Sequence, residues 1–252
     1  MRFEYKYLVP NYMLGEFRTR LRPYMTLDPY AEERGGYTVR SIYFDSPNLT
    51  CYHEKDDGIK ERKKLRIRGY NEGGPDSNVF LEIKRKSNIM ISKDRALLAY
   101  EDLAPLFENG AGDDVYLDKR SVEDARKFFF HFHRQSMLPV ECVIYEREPY
   151  VCKFGTSLRI TFDMNLRSTC YPSLDDLYCE DEVVPALPDH TILEVKSDRG
   201  RGFPGWVRRW LAEYDLKKQA LSKYCICLDT HDVVQHGRKN LLTSARLLSA
   251  AA

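Results

Sequence analysis

The sequence predicts an α+β fold with a mainly antiparallel sheet, and two observations carry that prediction. Runs of period-two alternation come in clusters, and helix-period stripes lie between the clusters rather than after every strand. At 252 residues, with 43% hydrophobic and 12% aromatic side chains, the chain can bury a substantial core and is not of disordered composition.

Taken in order, residues 3–9 alternate and read as a strand, and Leu14, Phe17 and Leu21 then fall on one helical stripe within 11–22. Residues 38–44 alternate again. Ser46 followed by Pro47 has the form of an N-cap with proline at the first helical position. Two further strands, 64–70 and 79–86, flank the loop Asn71-Glu72-Gly73-Gly74-Pro75-Asp76. Ser121 with Asp124 three residues on, ahead of the aromatic run 128–132, reads as a capped and deeply packed helix. Strands follow at 140–151, 157–164 and 191–197. Trp206, Trp210 and Leu211, and later Leu216, Ala220, Leu221 and Tyr224, form a C-terminal helical region. Residues 1–230 carry no linker and form one domain, and 231–252 are a tail, read as a short helix or a fraying end.

Charge and cysteine content exclude some classes. Lys+Arg total 39 and Asp+Glu 38, a net charge of +1, so the chain is not a generic nucleic-acid binder and its electrostatics depend on placement. Seven cysteines without a C-x-x-C pair suit reduced thiols in a cytoplasmic protein. The opening residues lack the apolar run of a signal peptide, and no stretch approaches the roughly 20 apolar residues of a transmembrane segment.

One short pattern, apolar–Glu–apolar–Lys, recurs as Phe3-Glu4-Tyr5-Lys6, Leu81-Glu82-Ile83-Lys84 and Leu193-Glu194-Val195-Lys196. In a strand, residues i and i+2 share a face about 6.5–7 Å apart, so each run sets a carboxylate and an ammonium on one side and apolar groups on the other. Lys64-Leu65-Arg66-Ile67-Arg68 does the same with cations alone, and Arg159-Ile160-Thr161-Phe162-Asp163 continues the alternation. Two architectures satisfy this. One is an antiparallel sheet with an ordinary solvated face. The other is an inverted barrel whose charged faces line a wet interior. Like charges grouped on neighbouring strands destabilise a sheet unless something neutralises them, which in the second case calls for a polyanion. Glutamates beside it suit a hard divalent cation, and phosphoryl transfer needs little beyond orientation, cations and a metal.

These residues resemble the VTC domain family of the triphosphate tunnel metalloenzymes, in particular its polyphosphate polymerases. The matching stretches are Arg2-x-Glu4-x-Lys6-Tyr7, Arg40-Ser41-Ile42-Tyr43-Phe44-Asp45, Lys64-Leu65-Arg66-Ile67-Arg68, Leu81-Glu82-Ile83-Lys84, Tyr145-x-Arg147, Leu193-Glu194-Val195-Lys196 and Ser222-Lys223-Tyr224. The resemblance implies a closed eight-stranded antiparallel barrel with helices outside, and transfer of the γ-phosphoryl group of ATP to a growing polyphosphate chain with Mn²⁺ or Mg²⁺. It implies phosphate binding by Lys6, Arg40, Arg66, Arg68, Lys84, Lys93, Arg147, Arg159, Lys196, Ser222 and Lys223. It also implies catalytic roles for Arg66, Arg68, Lys196 and Glu194, and metal ligation by Glu194, Glu4 and Glu82. The wider superfamily opens E-x-E-x-K, whereas Arg2 stands at the first glutamate here, which favours transfer over hydrolysis. A triphosphate hydrolase and a non-catalytic polyphosphate-binding module are the alternatives on the same scaffold; no specific nucleic-acid partner is expected.

Two other signals carry less. Gly200-x-Gly202-x-x-Gly205 has the dinucleotide spacing, but Pro204 lies inside it and the preceding strand carries Glu194 and Lys196 rather than a buried parallel-strand pattern. His131 and His133 are two apart on a helix and cannot share a metal through one face.

Overall fold

Alternating sequences become strands here, and the strands outnumber the sequence's own signals. The computed structural model describes residues 2–87, 90–109, 115–116, 118–198, 202–231 and 233. In chain order the elements are β1 (Arg2–Pro10), α1 (Leu14–Leu21), β2 (Met25–Leu27), β3 (Tyr37–Asp45), α2 (Thr50–Asp56), β4 (Glu61–Tyr70), β5 (Asn78–Ser87) and β6 (Met90–Ala99). They continue with α3 (Leu103–Asn109), α4 (Lys119–Arg134), β7 (Leu138–Cys152), β8 (Arg159–Cys170), β9 (Val184–Pro185), β10 (His190–Asp198), α5 (Gly205–Glu213) and α6 (Lys223–Thr230). None of the described helices is long and apolar enough to cross a membrane.

Hydrogen-bonded neighbours run β1-β10-β8-β7-β3-β4-β5-β6, with β2 on β7 and β9 on β8. This ten-stranded sheet corrects the closed eight-stranded barrel, because among the described residues no ladder joins β1 to β6. The physical reason lies at its edges. Along β6, the Arg95 and Leu97 amides donate to Asp124 Oδ2 (3.0 Å) and Ser121 Oγ (2.9 Å) of α4. At β1, the Gln219 amide donates to the Lys6 carbonyl (2.9 Å). Each edge finds partners outside a strand, so neither requires closure.

The chain divides into two units, the first made of residues 1–38, 145–167 and 185–222, the second of the remainder. In the first, β1 and β10 pair Tyr5↔Val195 and Tyr7↔Leu193 on one face and Glu4↔Lys196 and Lys6↔Glu194 on the other. The apolar face packs with Phe17 and Leu21 of α1 and Val207 and Trp210 of α5. In the second, β3, β4, β5 and β6 bury Ile42, Ile67, Leu81, Ile83 and Leu98 with Phe128 of α4. Each such side chain, fully removed from water, contributes about 1.5–3 kcal/mol.

Three local expectations are corrected. Helix α2 begins at Thr50, not at Pro47, after Leu49 in left-handed backbone (φ 53°). Asp45, at the end of β3, accepts from the Cys51 (2.8 Å) and Tyr52 (3.0 Å) amides and sets the start, while Ser46 Oγ accepts from Thr50 N (3.1 Å). The N-cap of α4 is Asp118, whose Oδ1 accepts from Ser121 N (2.8 Å); Ser121 lies inside the first turn, and Phe130 of the aromatic run is exposed. The C-terminal helical region is broken. Asp215 takes positive φ (46°), and Leu216 N donates to Leu211 O (2.9 Å), a Schellman-type stop that ends α5 before α6. Most of the tail 231–252 lies outside the described residues.

Candidate functional site

In the second unit the charged face of β4, β5 and β6 is dominated by cations. Register sets Arg66 opposite Glu82, Lys64 opposite Lys84, Glu82 opposite Arg95 and Lys84 opposite Lys93. Residues opposite one another in an antiparallel pair share a face, so Lys64, Arg66, Arg68, Lys84, Lys93 and Arg95 stand around Glu82. The Glu82 side chain is inaccessible to water. Its Oε2 accepts from Arg66 Nε (2.7 Å), and its Oε1 pairs with Arg95. Burial alone would raise the Glu82 carboxyl, yet Arg66, Arg68, Lys93 and Arg95 hold it well below the usual range. Both oxygens are thus committed to guanidinium groups, and Glu82 is an anchor for the arginines rather than an open metal ligand.

Strand β3 completes this face. Arg66 Nη1 donates to Tyr43 Oη (2.8 Å) and Arg68 Nε to Ser41 Oγ (3.1 Å). Desolvation would raise the Tyr43 phenol, but Arg66, Arg68 and Lys64 lower it to about 8. Desolvation of its ammonium, with Arg66, Arg68 and Lys84 close by, lowers Lys93 to about 7 against the opposing pull of Glu82. Lys93 is exposed as a whole residue, so the burial part of that shift belongs to the end of its side chain, and the neighbouring cations add a smaller contribution of the sign that favours anions. Lys223 opens α6 and is buried.

Arg40 does not join the cluster. It lies opposite Gly69, one residue out of phase with Ser41 and Tyr43, so β3 carries it to the other face. There its Nε donates to the Asn71 carbonyl (2.8 Å) and its Nη2 to Glu180 Oε1 (2.5 Å).

In the first unit the charged face is balanced. Glu194, its side chain only 4% exposed, receives Lys6 Nζ at 3.3 Å on Oε1, and Lys196 Nζ at 2.6 Å and Arg147 Nη2 at 3.3 Å on Oε2. Lys6 Nζ also stands 3.5 Å from Glu4 Oε1, so one cation already touches both carboxylates. Glu4 and Glu194 thus turn carboxylate oxygens, the donors a hard divalent cation takes, to one position that Lys6 Nζ fills here, so a metal ion there has to displace that ammonium. Arg147 forms a bidentate pair with Asp163 (2.6 and 2.7 Å). Burial would lower its pKa, yet Asp163, Tyr145 and Glu194 hold it well above the ordinary value. Its neighbours Glu146 and Glu148 take other partners, Arg167 and Arg18. Arg159 shares the strand face through its pairing with Lys196, but its guanidinium is held by Asp28 at the strand end. Lys6 Nζ donates to the Leu221 carbonyl (3.2 Å), which brings the extended segment with Ser222 beside β1.

Arg95, Tyr43, Ser41 and Asp163 escaped the sequence reading. Parity could have found three of them: Arg95 is two residues from Lys93, and Ser41 and Tyr43 alternate with Arg40.

No curated protein matches the chain. The structure is similar to PH1819 from Pyrococcus horikoshii OT3, at 16% identity over 91% of this chain and 99% of that one, with a TM-score of 0.47. It is also similar to HpAC1 from Hippeastrum, described as an adenylyl cyclase with a dominant triphosphatase activity, at 13% identity over 94% of this chain and 97% of that one, with a TM-score of 0.51. That second likeness extends to the fold. The VTC domain model matches residues 1–231, nearly the whole chain, and this chain is accordingly a member of the VTC domain family.

Proposed function

We propose that the chain is a metal-dependent polyphosphate polymerase that moves the γ-phosphoryl group of ATP onto inorganic polyphosphate. The observation that carries phosphate binding is the set of cations that strand register places on one face with Glu82: Lys64, Arg66, Arg68, Lys84, Lys93 and Arg95. A linear phosphate chain supplies the run of negative charge that such a face attracts.

In this reading Arg66 and Arg68 bind oxygens of the migrating group, and Glu82, Tyr43 and Ser41 hold the two guanidinium groups in place. Lys84 and Lys93 bind the rest of the chain. Glu194 and Glu4 would hold Mn²⁺ or Mg²⁺, which would supply Lewis-acid chemistry to phosphoryl transfer. Lys6 and Lys196 pair with Glu194 and orient it. A terminal polyphosphate oxygen forms the new bond to the γ-phosphorus, the bond from that phosphorus to the β–γ bridging oxygen breaks, and ADP leaves. Arg159 and Arg40, engaged with Asp28 and Glu180, take no part in this scheme.

The fold shared with the Hippeastrum protein favours a second reading, hydrolysis of a triphosphate. Pure protein incubated with ATP and Mn²⁺ separates the readings. Long chains on a gel with matching ADP support the polymerase. Orthophosphate as the sole phosphate product supports the hydrolase, and no turnover leaves a polyphosphate-binding module.

A further inference from the structure

A second cluster in the second unit has the chemistry of a metal site and none of the chemistry of phosphate binding. Glu141 on β7, Cys170 at the end of β8 and His231 just after α6 bring one ligand atom each to within 4.8 Å of one another. Glu141 is fully buried, with a side-chain exposure of 0%. Its Oε1 accepts no hydrogen bond, although burying an ionisable oxygen without a partner is costly. Cys170 Sγ lies 3.2 Å from Glu141 Oε2, and His231 Nε2 lies 3.4 Å from Glu141 Oε1 and 3.0 Å from Ser168 Oγ.

We propose that Glu141, Cys170 and His231 form a Zn²⁺ site that ties β7, β8 and the residue following α6 together. Bond lengths of about 2.0–2.3 Å in a tetrahedral site place neighbouring ligand atoms about 3.3–3.8 Å apart, and Cys170 and His231 each approach Glu141 to near that distance, one on each carboxylate oxygen, with the three ligand atoms within 4.8 Å of one another. Thiolate, imidazole and carboxylate together select zinc over the hard cations that carboxylates alone prefer. Three protein ligands leave one position for water. An orphaned carboxylate oxygen in the core gains a partner, and residues distant in sequence are pinned without a disulfide.

The full-length protein, stripped with chelator and then supplied with Zn²⁺ alone, is expected to retain one equivalent through gel filtration and to melt at higher temperature. Replacing zinc by Co²⁺ is expected to produce a thiolate-to-metal charge-transfer band, which carboxylates elsewhere in the chain cannot give. Cys170→Ser is expected to lose that band and weaken zinc binding at least about 100-fold, more than loss of an outer partner to a ligand. Cys152→Ser, a thiol in the first unit, is expected to change neither. His231→Gln, at a half-buried position, repeats the test should Cys170→Ser fail to fold. Absence of the cobalt band in wild type, or zinc retention undiminished in both folded ligand variants, overturns the proposal.

Discussion

The charged faces of the two units are made by the same period-two alternation and differ in their bookkeeping of charge. On β1 and β10, Glu4 faces Lys196 and Lys6 faces Glu194, each cation directly opposite an anion. On β4, β5 and β6, Lys64 faces Lys84 and Lys84 faces Lys93, so cations stand opposite cations, while Glu82 pairs with Arg66 and Arg95. The first arrangement is stable as it stands. In the second, like charges face each other, and under the proposed function an arriving polyanion relieves that repulsion. A balanced face orients groups, whereas an unbalanced face captures a ligand.

The sharpest way to test this contrast is to remove one member from each face. Glu194→Gln takes the hub from the balanced face and is expected to reduce turnover roughly 10³-fold, the upper end for loss of a fixed electrostatic group. Binding of tripolyphosphate in calorimetry is expected to survive, because the cations of the second unit are untouched. Equal loss of binding and turnover would erase the distinction between the faces. Arg66→Ala, on the unbalanced face, is expected to cost about 10²–10³-fold in turnover and to weaken tripolyphosphate binding as well. Arg40→Ala supplies the control. Its guanidinium is on the opposite face of β3 with Glu180, so less than about a tenfold effect on anion affinity is expected, with the loss appearing in melting temperature instead.

How much of this was legible follows from where the alternation is clean. Strands β4, β5 and β10 place apolar residues at every second position, and their faces can be read directly from the letters. Strand β6 escaped because its signal cancels: Asp94 stands at the parity of Ala96 and Leu98, while Ile91 and Leu97 stand at the parity of Lys93 and Arg95. Arg40 was assigned by motif rather than by parity, and parity places it with the core. The open sheet was also beyond the sequence, because the edge partners of β6 and β1 are Ser121, Asp124 and Gln219, polar residues that carry no strand signal. What the letters do convey is the grouping of charge, since a sheet face is a local property, and what they hide is how that sheet ends.

Glu82 offers a test of intermediate size. Its folded-state pKa lies below the usual value, so its contribution to stability is present above the unfolded pKa of about 4.3 and is lost as pH falls through the lower folded value. Glu82→Gln is expected to flatten the acid limb of a denaturation profile. It also leaves Arg66 and Arg95 without their buried counter-charge, so the variant is expected to be markedly less stable at neutral pH and to regain melting temperature on adding tripolyphosphate. No such rescue would mean that the anion does not replace the carboxylate.

The smallest expected effect is the most specific to the unbalanced face. Lys93 titrates at about 7 in the folded chain and about 10.4 when unfolded, so the unfolded state binds more protons between those values. Stability without ligand therefore rises with pH across that window through this group, and is flat below it. An arriving polyanion favours the ammonium, which means that binding takes up a proton and weakens as pH climbs past 7. The probe's own terminal phosphates titrate in the same range, so proton release by free tripolyphosphate is measured separately and subtracted, and the remaining slope above about pH 7 reports the protein. Tripolyphosphate affinity is expected to fall by up to about tenfold per pH unit there, the limit for one linked proton. Calorimetry in two buffers of different ionisation enthalpy should register the uptake. Lys93→Met is expected to lose both the slope and the proton while Arg66 and Arg68 still bind. A slope that persists in that variant would assign the titration to another group, with Tyr43, lowered to about 8 by the same cations, as the next to replace.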